Sequence, residues 1–313
     1  KNMFFSGLCL KIKKKTLPLH QKFIIMKRPF LFTFFLVCIM GISQAQVSEV
    51  GLCGGVSFYM GDINPTGVFK GSKPAGGVIY RYNINPLLAF KSTVLFGSIG
   101  ANDAEYGKTD EAKARNLSFV SPISEISAQL ELNFMRLYNE AGRNAFAPYL
   151  FAGIGIFSFN PQAKASDGNW YDLQMLGTEG QGLNQPGYEK EPYSLIGLSI
   201  PFGLGMRYNF LKYYSIGVEW GMRMTFTDYI DDVSTTYVSD TVLRVYRHPV
   251  VAELADPVDE FEKHKPGTAR GNAQTKDWFS YAVVTFTFKL NYQKACPSMG
   301  KPIPVNKKRR KYR

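Results

Sequence analysis

Few side chains in this sequence combine a reactive type with a useful spacing. The histidines are His20, His248 and His264. None is close in sequence to a serine or acid in a pattern that would build a nucleophile–base–orienter set, so no catalytic residue is assigned. Of the four cysteines, Cys53 and Cys296 fall in the body of the chain, far apart. Two such cysteines make neither a disulfide framework nor a metal-ligand spacing, and two unpaired thiols are the plainer expectation. The acidic stretch Asp228-Tyr229-Ile230-Asp231-Asp232 could hold a calcium ion, although a turn with solvated carboxylates is the simpler reading. No phosphate-cradling glycine loop and no zinc signature occurs, so neither cofactor nor metal is expected.

The remaining chemistry is ionic, and its positions are periodic. Glu49, Arg81, Lys91, Glu125, Glu131, Arg207, Glu219, Arg223 and Lys289 each fall in a run that alternates apolar with small or polar residues. Tyr214, Ile216, Val218, Trp220, Met222, Met224 and Phe226 share one parity, with Ser215, Gly217, Glu219, Gly221, Arg223 and Thr225 on the other. Period-2 alternation of this length specifies a strand with one apolar and one polar face. Eight such runs are expected, at roughly 48–61, 76–84, 87–100, 122–135, 147–158, 195–209, 213–227 and 278–290.

The connectors alternate in length. Asn83 to Pro86, Leu137 to Asn144 and Phe210 to Lys212 are short or modest. Asp62 to Ala75, Ala101 to Ser121, Phe159 to Ser194 and Asp228 to Asp277 are long. An even number of strands joined by short turns on one side and long loops on the other describes an up-and-down transmembrane β-barrel of the outer membrane. With the N-terminus in the periplasm, the four long connectors are external and both termini are periplasmic. Ionised residues cannot enter a dry closed core alone at acceptable cost, but can pair in a polar lumen. Eight strands leave an interior that side chains fill, so the charges should form a plug rather than a pore, which would need a wider barrel and a ring of one sign. Tyr59, Tyr82, Tyr149, Tyr208, Tyr214 and Trp278 lie near strand ends, where aromatic girdles are expected.

Outside the barrel at 46–290, the sequence divides further. Residues 1–25 read as an over-extended start. Residues 26–45 read as a signal peptide: Lys27-Arg28, an apolar stretch from Phe30 to Ile42, then Ser43-Gln44-Ala45 ahead of cleavage. Cys38 lacks the small residue that a lipoprotein signal wants before it. The apolar stretch is short of the ~20 residues of a membrane-spanning helix. Residues 291–313 form a basic tail containing Lys307, Lys308, Arg309, Arg310 and Lys311. The formal charge of +12 belongs to the two ends, since residues 46–288 hold 20 basic and 25 acidic residues. Nucleic acid is therefore excluded as a partner, and no small-molecule substrate is expected. The tail suits acidic periplasmic proteins or lipid phosphates.

Several segments, in order, resemble the PorG family of outer-membrane proteins of the type IX secretion system. They are Ser48-Glu49-Val50-Gly51, Tyr59-Met60-Gly61-Asp62-Ile63-Asn64-Pro65 and Gly76-Gly77-Val78-Ile79-Tyr80-Arg81-Tyr82-Asn83. Further along come Pro148-Tyr149-Leu150-Phe151-Ala152-Gly153, Leu198-Ser199-Ile200-Pro201-Phe202-Gly203, Phe226 to Ser234, and Asp277-Trp278-Phe279-Ser280-Tyr281. The resemblance spans nearly all of residues 46–296. It implies an eight-stranded outer-membrane barrel needed for secretion and gliding and tied to periplasmic ring or lipoprotein components, without catalytic residues. An adhesion or ligand-binding barrel acting through loops 159–194 and 228–277 is the alternative.

Overall fold

Period-2 alternation produces long strands, and each pairs with its sequence neighbour. The computed structural model describes residues 47–290 apart from 66, 108, 136–145, 211, 212 and 260. The expected signal peptide, Cys296 and the basic tail with Lys307, Lys308, Arg309, Arg310 and Lys311 lie outside the described residues. The strands are β1 (Val47–Met60), β2 (Lys73–Asn83), β3 (Leu88–Asn102), β4 (Ser118–Asn133) and β5 (Phe146–Phe159). After the short β6 (Gln162–Lys164) and β7 (Trp170–Asp172) come β8 (Ile196–Asn209), β9 (Tyr214–Thr225) and β10 (Trp278–Lys289). Eight of them close in the order β1-β2-β3-β4-β5-β8-β9-β10 and back to β1, every pair antiparallel. This is a closed up-and-down barrel with no free edge in its wall.

Parity decides which side chains face in. Leu52, Val78, Phe96, Ile126, Leu130, Ile154, Ile156, Leu198, Val218 and Val284 stand exposed on the outer wall, while Glu49, Arg81, Lys91, Glu131 and Arg223 are buried inside. A soluble barrel has the reverse arrangement. An apolar belt outside and charge inside is the inverted pattern that lipid demands of an outer-membrane barrel. Tyr80, Tyr208, Phe210 and Tyr213 are exposed at the short-turn end, where Tyr214 stacks with both Phe210 and Phe286.

Two features of the wall follow from single residues. The β5–β8 register runs from Phe146↔Tyr208 to Ala152↔Phe202 and resumes at Gly155↔Ser199. The gap faces Pro201, which has no N–H to give the ladder. Gly205 and Gly221 make room for inward aromatic rings: a Cβ on Gly205 would lie 2.4 Å from the Tyr149 ring, and one on Gly221 2.6 Å from Phe151.

The strand expectations match at most boundaries, but β3 and β4 run further toward the long-loop end, pairing out to Asn102↔Ser118. The long loops are also more ordered than their sequences suggest. The second carries α1 (Asp103–Tyr106) and α2 (Asp110–Arg115). The third carries the β6–β7 hairpin and α3 (Leu173–Leu176). The fourth carries α4 (Asp240–Tyr246) and α5 (Pro249–Ala255).

Candidate functional site: a filled lumen beneath a folded cap

The inward parity of seven strands delivers charge to the interior. Arg81 on β2 binds Glu131 on β4 through two bonds, Nε to Oε2 at 2.7 Å and Nη2 to Oε1 at 3.0 Å. Its Nη1 reaches Glu49 on β1 at 3.1 Å. Arg207 on β8 approaches the same Glu49 oxygen at 3.5 Å. Lys289, the register partner of Glu49, is buried in this layer. One layer further from the short turns, Lys91 on β3 bridges Glu219 at 2.6 Å and Glu131 at 3.4 Å, and the Tyr149 hydroxyl donates to Glu219 at 2.9 Å. Higher still, Arg223 on β9 binds Glu125 on β4 at 3.1 Å, and the Ser199 hydroxyl donates to Glu125 at 2.9 Å. Of the sequence-selected charges, Glu49, Arg81, Lys91, Glu131, Arg207 and Glu219 thus join in one buried network, and Glu125 and Arg223 form a separate buried pair above it.

Rings complete the filling. The Lys91 ammonium lies 3.9 Å from the Phe151 ring centre, and the Arg223 guanidinium 4.7 Å from that of Tyr281. Toward the long-loop end the interior becomes apolar, with Ile99, Phe119, Ile123, Phe157, Phe279 and Tyr59 packed together. Tyr59 and Tyr149, expected in the outer girdle, instead point inward, 0% and 1% exposed. Their parity carries the signal: Tyr59 shares it with Glu49, and Tyr149 with Gly153 and Gly155. Position near a strand end is a weaker guide than parity.

The four long loops fold into a cap joined by buried polar groups. Arg115, at the end of α2, binds Asp103 of its own loop at 2.7 and 2.9 Å, and donates to the carbonyls of Asp62 and Arg270 in the first and fourth loops. Glu179, after α3, accepts from the backbone N–H groups of Ser234 and Thr235 and from Arg270. Asp232 accepts from the hydroxyls of Thr178 and Tyr193. The stretch 228–232 is therefore not a solvated turn: Asp228, Asp231 and Asp232 are buried at 4, 1 and 0% exposure. Asp228 accepts from Ser234 of the same loop, whereas the side-chain partners of Asp231 and Asp232 lie on separate segments, which local sequence could not reveal. Among the described residues no group of three or more His, Cys, Asp or Glu is arranged to hold a metal ion.

At the base of the cap the Tyr59 hydroxyl sits between two carboxyls, 2.6 Å from Oδ2 of Asp231 and 2.6 Å from Oδ1 of Asp277. A phenol has one proton. It donates to one carboxylate and accepts from the other group, which must then be a carboxylic acid. Burial pushes both aspartates well above the ordinary carboxylate range, and for Asp231 the facing Asp277 charge pushes further. The free oxygens are also used, since Asp277 accepts from the N–H of Ile230 and Asp231 from that of Val233. Burial likewise raises Asp232 to about 6 against the lowering effect of Arg270. Buried and fully hydrogen-bonded, Tyr59, Asp231 and Asp277 hold the cap to strand β1. His264 does meet an acid, Asp256, at 2.9 Å, beneath the stacked Tyr237 ring; among the described residues no serine or cysteine hydrogen-bonds to it.

Residues 27–175 match a family described as a domain of unknown function (DUF6089). No curated protein matches the chain. Among solved structures, Ail, the attachment invasion locus protein of Yersinia pestis, aligns over 78% of this chain and 97% of its own, at 9% identity and a TM-score of 0.36. Neisserial surface protein A aligns over 79% and 97%, at 10% identity and 0.34. A major outer membrane protein from Thermus thermophilus aligns over 79% and 100%, at 12% identity and 0.35.

Proposed function

We propose that this protein is a non-catalytic scaffold of the outer membrane that serves a secretion machinery of the type IX kind. In this reading the long loops face outward, both termini are periplasmic, and the periplasmic rim with the basic tail holds ring or lipoprotein components. The observation that carries the non-transport part is the filled lumen. A column of ion pairs topped by an aromatic layer and a folded cap fills the interior of the described barrel, which supports placing the work on the two rims. The PorG-like segments favour the periplasmic one.

A second reading, surface adhesion or ligand binding, draws on the cap itself. Its four loops are ordered, and Phe261, Val245 and Tyr246 remain exposed on it. One experiment separates the two. Residues Lys307 to Lys311 are replaced by serine in one strain, and exposed cap positions Val245, Tyr246 and Phe261 by serine in another. Secretion of cargo and recovery of periplasmic partners are then measured. Loss of both with the tail variant alone is the expected result. Loss with the cap variant alone would transfer the function to the outer surface, and intact secretion in a strain lacking the protein would end the secretion reading.

A further inference from the structure

The outer face of the β3–β4 hairpin changes character where it leaves the apolar belt. Phe96 on β3 and Ile126 on β4 stand exposed on the wall. Beyond them the outward pairs become Ser98↔Pro122, Gly100↔Val120 and Asn102↔Ser118. Large side chains stop there, and a groove of about 230 Å³ opens on the outside of the wall. One side is formed by the β6–β7 hairpin, which extends the sheet from β4 through Val120↔Gln162. That hairpin sets Lys164 directly opposite Trp170, and Trp170 is 54% exposed. The other side is formed by Gly71, Lys73 and Tyr106, with Glu105 the one acid in the lining. Just outside the lining, Lys70 places its ammonium 5.9 Å from the Tyr106 ring centre, a second positive charge near that side.

Neither Lys73 nor Lys164 has an ion-pair partner among the described residues, in a molecule whose lumen pairs its charges closely. Two ammonium groups without ion-pair partners flank a floor of mostly small residues, Lys164 opposite Trp170 and Lys73 on the side that carries Tyr106. Ammonium groups bind phosphate as point charges, and indole and phenol rings lie well against the C–H face of a sugar. The groove opens beside the belt, at the level where a lipid's headgroup emerges from the bilayer.

We propose that this groove binds the phosphorylated sugar headgroup of a lipopolysaccharide molecule in the outer leaflet, its acyl chains lying against Phe96 and Ile126. The proposal rests on the orientation adopted under Proposed function, long loops outward. It adds to that reading a specific lipid that fixes the barrel's depth and the position of the β6–β7 hairpin.

The test uses the full chain purified in detergent. Retained lipid is measured by native mass spectrometry after addition of bis-phosphorylated lipid A, its dephosphorylated form, phosphatidylglycerol or inorganic phosphate. The wild type should retain one bis-phosphorylated lipid A in preference to the other three. Each lysine near an anionic headgroup is worth about a fivefold factor, so the K73Q/K164Q double variant should bind about 25-fold more weakly, and Trp170→Ala should weaken binding with both lysines present. Heat-modified gel mobility verifies that each variant is folded. Equal retention by the double variant, or equal retention of phosphatidylglycerol, would overturn the proposal. Orientation is read separately, by labelling Ser166→Cys in intact cells with an impermeant maleimide. External labelling with no selective lipid retention rejects the groove alone, whereas no external labelling rejects the orientation on which both readings rest.

Discussion

Substituting Tyr59 by phenylalanine should release the cap without unfolding the barrel. The hydroxyl it removes makes two contacts of 2.6 Å with Asp231 and Asp277, at a site with no solvent access. A hydrogen bond to a charged group is worth about 1.5–3 kcal/mol, and leaving a buried partner unsatisfied adds about 1–3. The local cost is then about 3 kcal/mol, more than two powers of ten in the opening equilibrium. The eight-strand ladder does not depend on this contact, so the opening should be confined to the loops. Limited proteolysis within residues 160–195 and 226–277 should accelerate about 100-fold, while heat-modified mobility of the barrel stays unchanged. Asp277→Asn is the counterpart. A neutral amide imitates the protonated acid, can donate to the Tyr59 oxygen and still accepts from the N–H of Ile230, so this variant should remain protected. Equal proteolysis of Tyr59→Phe and wild type, or Asp277→Asn as labile as Tyr59→Phe, would refute the shared proton.

Three further outcomes follow from the same geometry. Protection of the cap should decline as pH rises from about 4, because the Asp231–Asp277 pair keeps a shared proton and Asp232 is raised to about 6 in the folded cap, protons that the unfolded loops release at ordinary carboxylate values; hydrogen exchange across pH 4–8 reads this, and increasing protection over that range would reverse the assigned sign. Glu131→Gln leaves Arg81 and Lys91 with one fewer buried counter-charge and should cost about 3–5 kcal/mol of barrel stability, visible as a lowered midpoint in urea titration in lipid. Gly205→Val drives a side chain into the Tyr149 ring and should cost about 1–3 kcal/mol or more, a loss that a second change, Tyr149→Ala, should partly relieve.

The wall and its inverted faces are legible in the sequence because a strand's period of 2 is local. Glu131 next to Leu130 and Leu132 already states which face each takes. The membership of the lumen network follows from the same parity, and pairing partners follow once neighbouring strands are set in register. Tyr59 and Tyr149 mark the limit of a cruder signal: proximity to a strand end suggests the girdle, although both share parity with inward glycines or acids. The cap has no local signal. Asp231 in a loop looks like any solvated acid until Tyr59, 172 positions earlier, is placed 2.6 Å from it. Glu179 and Arg270, 91 positions apart, are likewise joined only in three dimensions. Parity carries no information about such contacts, because irregular loops have no period. The β6–β7 hairpin, three residues a side, is too short for alternation to reveal.

Under the proposed function, this filled barrel does its work on its rims and not in its lumen. Single-channel recording of the purified full chain in planar lipid bilayers tests this most directly. The ion-pair column from Glu49 to Glu125 and the aromatic layer above it predict a silent membrane, with no steady conductance over the range of potentials the bilayer withstands. Large, reproducible single-channel steps would contradict it and return the function to the lumen.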